Sequence, residues 1–149
     1  MGGTVTARIS FIIPGPAKGK GRPQFVRATG IAFTPKATRI QEAFVKSLAA
    51  KAMNGKSAFE GPVSLRVEVW VGVAKSWTKK KKEAALTGKA KPTGRPDLDN
   101  LIKLLADAMN GVVFKDDSQI VHLEARKDYC DEAKTFVYIE ECPPIEDPA

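Results

Sequence analysis

The chain has 149 residues, 43% of them hydrophobic, and a formal net charge of +7. That length suits one domain with a real core and is short of two, and no apolar run approaches the ~20 residues of a membrane span. The N-terminus MGGTVTARIS has no signal-peptide core, and two cysteines without CxxC spacing, Cys130 and Cys142, support neither a disulfide framework nor a zinc site. The expectation is a cytoplasmic, single-domain protein over residues 1–149, with reduced cysteines and an acidic tail from about residue 141.

Residues 6–15, TARISFIIPG, alternate and then run apolar, as a strand ending at Pro14 does. PAKGKGRPQFVRATGIAFTP follows, rich in Gly and Pro with bases between, and reads as loop with a short hairpin turning at Thr29-Gly30. Residues 38–53 set Ile40, Ala43, Phe44, Ser47 and Leu48 at helical spacing, with Asn54-Gly55 as the stop. Residues 62–73 alternate strictly: Val63, Leu65, Val67, Val69 and Val71 take one face of a strand, Arg66 and Glu68 the other. A lysine-rich connection over 74–96 has room for one short helix at 79–86. Beyond it Leu98, Leu101, Ile102, Leu105, Ala108 and Met109 form an apolar stripe, while Asp99, Lys103 and Asp107 recur every four residues on another face. Asn110-Gly111 ends that helix. A turn carrying Asp116 and Asp117, a strand, and a last strand through AKTFVYIE complete the chain. Few helices set singly among strands predict an α+β fold, a single small domain with a mixed β-sheet and two main helices.

Charge is unevenly spread. Residues 1–41 carry seven basic residues and no acid, and residues 75–95 carry eight basic residues against Glu83 alone. From residue 96 onward thirteen acids outnumber five bases. Clustered Lys and Arg of this kind attract polyanions, nucleic acid above all. Lys18, Lys20, Arg22 and Arg27, then Lys79, Lys80, Lys81 and Lys82, and Arg95 are therefore the candidate DNA contacts, although a charge run is also what a solvated surface looks like.

Against this basic background, RPDLDNLIK puts Asp97 and Asp99 at the mouth of a helix. Arg95-Pro96 keeps the approach extended, which would project both carboxylates to one side. Asp99 as a helix cap is the plain structural reading, worth about 1 kcal/mol. It leaves the second pair, Asp116 and Asp117 past the end of the same helix, without a reason. Carboxylates gathered together repel unless a cation is bound, and Mg²⁺, or Mn²⁺ in its place, takes one or two carboxylates with waters and substrate phosphates. Basic loops for a phosphodiester backbone and a carboxylate-held metal describe a nuclease. A binding module, with the acids as caps and partners of Lys103 and Lys115, and a DxD transferase are the other readings.

The joined segment GRPDLDNLIKLLADAMNGVVFKDDSQI resembles the signature of the RusA family of Holliday-junction resolvases, the crossover junction endodeoxyribonucleases. In that family a D-x-D-N-x-x-K segment opening a helix is followed, past an Asn-Gly turn, by D-D-[SA]-Q. KGKGRPQF and GIAFTPKATRIQE are similar to its phage and prophage branch. The resemblance implies metal-binding catalytic aspartates at Asp97, Asp99 and Asp117, with Lys103 as catalytic lysine. It further implies a RusA-like fold, and a homodimer that makes paired symmetric nicks across a four-way junction and leaves 5′-phosphate ends. Asn100 and Asp116 match the motif without a clear role. Some members carry PPSxN after the first strand, where this chain has Pro14-Gly15-Pro16-Ala17-Lys18.

Four other residues have structural readings. His122, the single histidine, reads as a packed or surface strand residue. Trp70 lies inside an alternating strand and reads as packing, whereas Trp77, beside the lysine run, has the better claim to stack on a base. Asp107 is placed to pair with Lys103 four residues away.

Overall fold

The computed structural model describes residues 7–21, 24–26, 28–33 and 35–142; Arg22, Arg27 and the tail beyond residue 142 lie outside them. In chain order the elements are β1 (Arg8–Pro14), β2 (Gln24–Val26), β3 (Ile31–Phe33), α1 (Lys36–Met53), β4 (Val63–Gly72), α2 (Lys79–Leu86), α3 (Leu98–Met109), a 3-10 turn (Asp117–Gln119), β5 (Ile120–Cys130) and β6 (Lys134–Glu141). The short hairpin of β2 and β3 turns through residues 28–30, where Thr29-Gly30 was expected to turn it, with Gly30 at φ 68°.

The other four strands form one mixed sheet in the order β1-β6-β4-β5. β4 and β5 run parallel, while β1 with β6 and β6 with β4 are antiparallel. A parallel pair cannot be closed by a tight turn; the chain must travel back along the sheet between the two strands. That return carries α2, α3 and the acidic turn, so this one topological requirement collects the candidate catalytic aspartates and Lys103 on a single crossover. β5 and β6 are consecutive yet do not pair: residues 131–133 pass over the end of β4, and the two strands flank it.

One face of the sheet is the core. Register aligns Ile9 with Ile139, Phe11 with Val137, Leu65 with Ile139 and Val67 with Val137, so alternate residues of three strands form apolar rows. α1 and α3 cover those rows, α3 contributing Leu101, Leu104, Leu105, Ala108 and Met109. At about 25 cal/mol per Å² of apolar area removed from water, this layer is the main source of stability. The strand at 62–73 and the short helix at 79–86 stand where the periodicity placed them.

α1 departs from expectation in two ways. It begins at Lys36, two residues early, directly after Pro35. More consequentially, its buried residues are Thr38, Val45, Ala49 and Met53, while Ile40 is 60% and Phe44 40% exposed. The core-facing side is nearly opposite the stripe read from the sequence. Both sides carry apolar residues, and it is the side with Val45, Ala49 and Met53 that packs into the core shared with α3 and β1.

Candidate active site

Asp97 occupies the N-cap position of α3, and its backbone carbonyl accepts the amide of Leu101 at 3.0 Å. The approach to it is pinned from β5: Lys127 Nζ donates to the carbonyls of Gly94 at 2.8 Å and Pro96 at 3.3 Å. The intervening Arg95-Pro96 peptide bond is cis. The Asp97 carboxylate makes no capping bond. Asp99 is not the cap; it lies in the first turn, where the positive end of the helix dipole favours a carboxylate. Asp97, Asp99 and, one turn on, Lys103 are all exposed.

The second aspartate pair is divided between two duties. Asp116 caps the 3-10 turn, its carboxylate accepting from the Ser118 amide at 3.3 Å and from the Ser118 hydroxyl in a very short contact. The Ser118 hydroxyl, then its amide, hold the Asp116 carboxyl below its ordinary pKa. Asp117 is half-buried and caps nothing. Neither Asp99 nor Asp117 is tied by a side-chain hydrogen bond or ion pair among the described residues.

Gln119 fastens this turn to the body of the protein. Its Oε1 accepts from the amides of Lys115 at 2.8 Å and Asp116 at 3.0 Å, and its Nε2 donates to the carbonyls of Phe59 and Gly61, both at 2.8 Å. A glutamine amide offers two donors and two acceptor lone pairs, and all four are used. The turn is thereby held in contact with α3.

Opposite the mouth of α3 stands the glycine-rich loop. Ala17, Gly19, Lys20 and Gly21 face Arg95, Pro96, Asp97 and Asn100 across an open cavity of about 340 Å³. Side chains are excluded at Gly21, where a Cβ would come within 2.7 Å of Thr38 Oγ1, and crowded at Gly19, where one would come within 3.2 Å of Pro96 Cβ. Lys20, between them, reaches Asp107 at 2.5 Å and Glu42 at 4.0 Å. Asp107 is therefore committed to Lys20 and does not serve Lys103. The Asp107 hydrogen bond raises the Lys20 pKa against a smaller opposing effect of burial.

Of the remaining candidate DNA contacts, Lys18, Lys79, Lys80, Lys81 and Arg95 are exposed and Lys82 is half-buried. Thr78 caps α2, accepting from the Lys81 amide at 3.2 Å. Trp77 is already engaged: it meets Tyr129 edge-on with centroids 5.4 Å apart, and Lys81 Nζ lies 4.1 Å from its ring centroid. Lys81 thus lies over one face of the ring expected to stack on a base. His122 is exposed on β5 opposite Ser64, as a surface strand residue. Lys115 pairs with Glu60 at 3.0 Å rather than with the neighbouring aspartates.

The sequence model of the endodeoxyribonuclease RusA family matches residues 14–140, a span holding both aspartate pairs, Lys103 and the glycine-rich loop. The chain belongs to the RusA family. Among its relatives is YqaN of Bacillus subtilis (strain 168), an uncharacterized protein 36% identical over 137 residues, which cover 89% of this chain and 96% of that one. The crossover junction endodeoxyribonuclease rusA of Lactococcus phage r1t is 61% identical over 36 residues, 24% of this chain and 28% of the phage protein. Among the described residues no helix is long and apolar enough to cross a membrane.

Whether these side chains suit a metal ion turns on their donor chemistry. Among the described residues no group of three or more His, Cys, Asp or Glu side chains, Asp97, Asp99 and Asp117 included, is arranged to hold a metal ion. The donors at the α3 mouth are instead hard carboxylate oxygens that capping leaves unspent. That suits Mg²⁺, which keeps several waters and is completed by substrate phosphates. Sequence reasoning did not find Gln119, Lys127 or the Lys20–Asp107 pair. The final Gln of the D-D-[SA]-Q motif was a signal for the first; long-range pairs such as the other two have no local signature.

Proposed function

We propose that this RusA-family protein is a structure-selective endodeoxyribonuclease that resolves four-way DNA junctions by paired nicks. The observation that carries the reading is the division of labour among the aspartates: Asp116 is used up as a cap, while the Asp97, Asp99 and Asp117 side chains are left uncommitted, Asp97 lining a cleft with Arg95. Asp97 and Asp99 at the mouth of α3 would hold Mg²⁺ or Mn²⁺ together with waters and substrate phosphate, with Asp117 as a further ligand once substrate draws the site together. Such an ion, when bound, supplies a water of lowered pKa and offsets charge on the departing oxygen. Lys103, exposed one turn beyond Asp99, offsets charge on the scissile phosphate or orients the attacking water. Lys18, Arg95 and Lys79 to Lys82 hold the phosphodiester backbone on either side, as sequence-independent positioning contacts. A homodimer presents two equivalent sites to a junction that has two-fold symmetry itself.

Digestion of a fixed four-way junction, the matched duplex and a single strand, each with Mg²⁺ and then with EDTA, tests this directly. Expected are symmetric nicks bearing 5′-phosphates on the junction alone, abolished by EDTA. Tight junction binding without cleavage under any divalent ion would replace the nuclease by a branched-DNA-binding protein.

A further inference from the structure

The glycine-rich loop is held against α3 by more than its own backbone. Lys20 donates its amide to the Asn100 carbonyl at 3.4 Å, and Gly21 donates to the buried Thr38 hydroxyl at 2.9 Å. Neither bond would fix the loop alone, the first being long. Between the two glycines Lys20 is the one side chain, and it does not point its charge at the solvent. Its ammonium lies between Asp107 of α3 and Glu42 of α1, and all three side chains are only 21–26% exposed.

We propose that Lys20 is a positioning residue: pinned by Asp107 and Glu42, it latches the loop onto the helix carrying Asp97 and Asp99 and so sets the width of the substrate cleft. Two carboxylates around one ammonium leave no positive charge to offer a phosphate, so Lys20 is withdrawn from the set of backbone contacts. Its effect on cleavage passes through the loop wall, formed by Ala17, Gly19 and Gly21, that faces Asp97 and Asn100 across the cavity. A substrate phosphate lodged there is placed by that wall relative to the carboxylates, and misplacement by about 1 Å can cost on the order of a hundredfold in rate. The close approach of both glycines to their neighbours, Gly19 to Pro96 and Asn100 and Gly21 to Thr38 and Pro35, seats the loop tightly where Lys20 latches it.

The proposal deepens the nuclease reading and rests on it for its kinetic consequence, so its test has one arm that needs no cleavage. In that arm, amide hydrogen exchange on the free protein follows Lys20 and Gly21. Asp107→Asn and Lys20→Met should each speed exchange at both amides by about tenfold or more while amides of β4 stay protected, and Lys20→Arg should restore protection. In the second arm, single-turnover cleavage at saturating junction should fall about tenfold or more in each single variant, and the double variant Lys20→Met/Asp107→Asn should be no worse than either, as for two halves of one contact. The salt dependence of junction binding should keep its wild-type slope in Lys20→Met. Unchanged exchange in Asp107→Asn overturns the latch whatever the enzyme does, and remains decisive if Lys20→Met does not fold. A reduced salt slope in Lys20→Met with full activity in Asp107→Asn would overturn it too, making Lys20 an ordinary phosphate contact. If wild type cuts no DNA, the nuclease reading fails while the exchange arm still judges the latch.

Discussion

Asp116 and Asp117 are adjacent and chemically identical, yet substitution should separate them cleanly. Asparagine caps about as well as aspartate, so Asp116→Asn should retain folding and most cleavage, whereas Asp97→Asn, Asp99→Asn and Asp117→Asn should each abolish cleavage without weakening junction binding. Gel-shift titration beside a nicking assay on the same four variants checks this; cleavage at wild-type rates by the latter three sinks the metal-ligand assignment. Gln119 offers a complementary measurement of stability. Truncation to alanine frees two backbone amides and strips the half-buried Phe59 and Gly61 carbonyls of their donor, at about 1–3 kcal/mol for an unsatisfied group. Urea unfolding of Gln119→Ala should show a loss in that range, together with lower cleavage. For Lys20 the raised pKa fixes a sign: the folded state holds this proton more tightly, so the ion pair adds stability below the ordinary lysine pKa and loses it as pH climbs through the raised value. The alkaline limb of a stability-versus-pH curve should therefore be shallower in Lys20→Met than in wild type.

At the level of elements, α2 is a helix whose charge works against its own dipole. Its first turn holds no acid, and Lys79 to Lys82 stand at the positive end, where basic side chains are unfavourable by about 0.3–1 kcal/mol. The Thr78 cap, the Thr87 hydroxyl bonded to the Glu83 carbonyl at 2.8 Å, the buried Ala85 and the Lys81–Trp77–Tyr129 contacts offset this. Lys80→Glu should therefore stabilise α2 while weakening DNA binding, and neutralising all four lysines should lower the slope of log K against log salt by about 0.9 for each lost duplex contact. An unchanged slope would identify them as solvated surface. α3 combines two demands on twelve residues: an apolar side that fills the core and a polar side that carries the proposed catalytic residues. Leu105 is wholly buried in that packing, and Leu105→Ala should cost about 2–5 kcal/mol by denaturant titration.

For the whole molecule the open question is assembly. The apolar face of the strands at 9–13 and 63–73 offers a partner no surface, because α1 and α3 cover it: Ile9, Ile13, Val63, Leu65 and Val67 are buried. The large apolar side chains left exposed are others, among them Ile12, Ile40, Phe44, Val121 and Leu123. The case for a dimer thus rests on the symmetry of the junction and on the family. A mixed dimer of wild-type and Asp99→Asn subunits should nick one strand of a cruciform plasmid and fail to linearise it, with sedimentation giving the mass of two chains. Monomer alone, both free and on junction DNA, would falsify the dimer.

What the sequence determined by itself were the properties written in local order. The period-2 run of β4, the stripe of α3, the Asn54-Gly55 stop, the α+β class and the signature linking Asp97, Asp99, Lys103 and Asp117 all depend on near neighbours along the chain. Only the tertiary structure decided which side of α1 faces the core, since Ile40 and Phe44 argue for one and Val45 and Met53 for the other, and the choice is made by contacts with α3 and β1 that lie far away in sequence. It also decided that Asp116 rather than Asp117 serves as cap, and that Asp107 turns to Lys20 instead of Lys103. An i,i+4 ion pair exposed to water is worth only a few tenths of a kcal/mol, too little to hold Asp107 against a lysine delivered, 87 residues away in sequence, to a site half withdrawn from solvent.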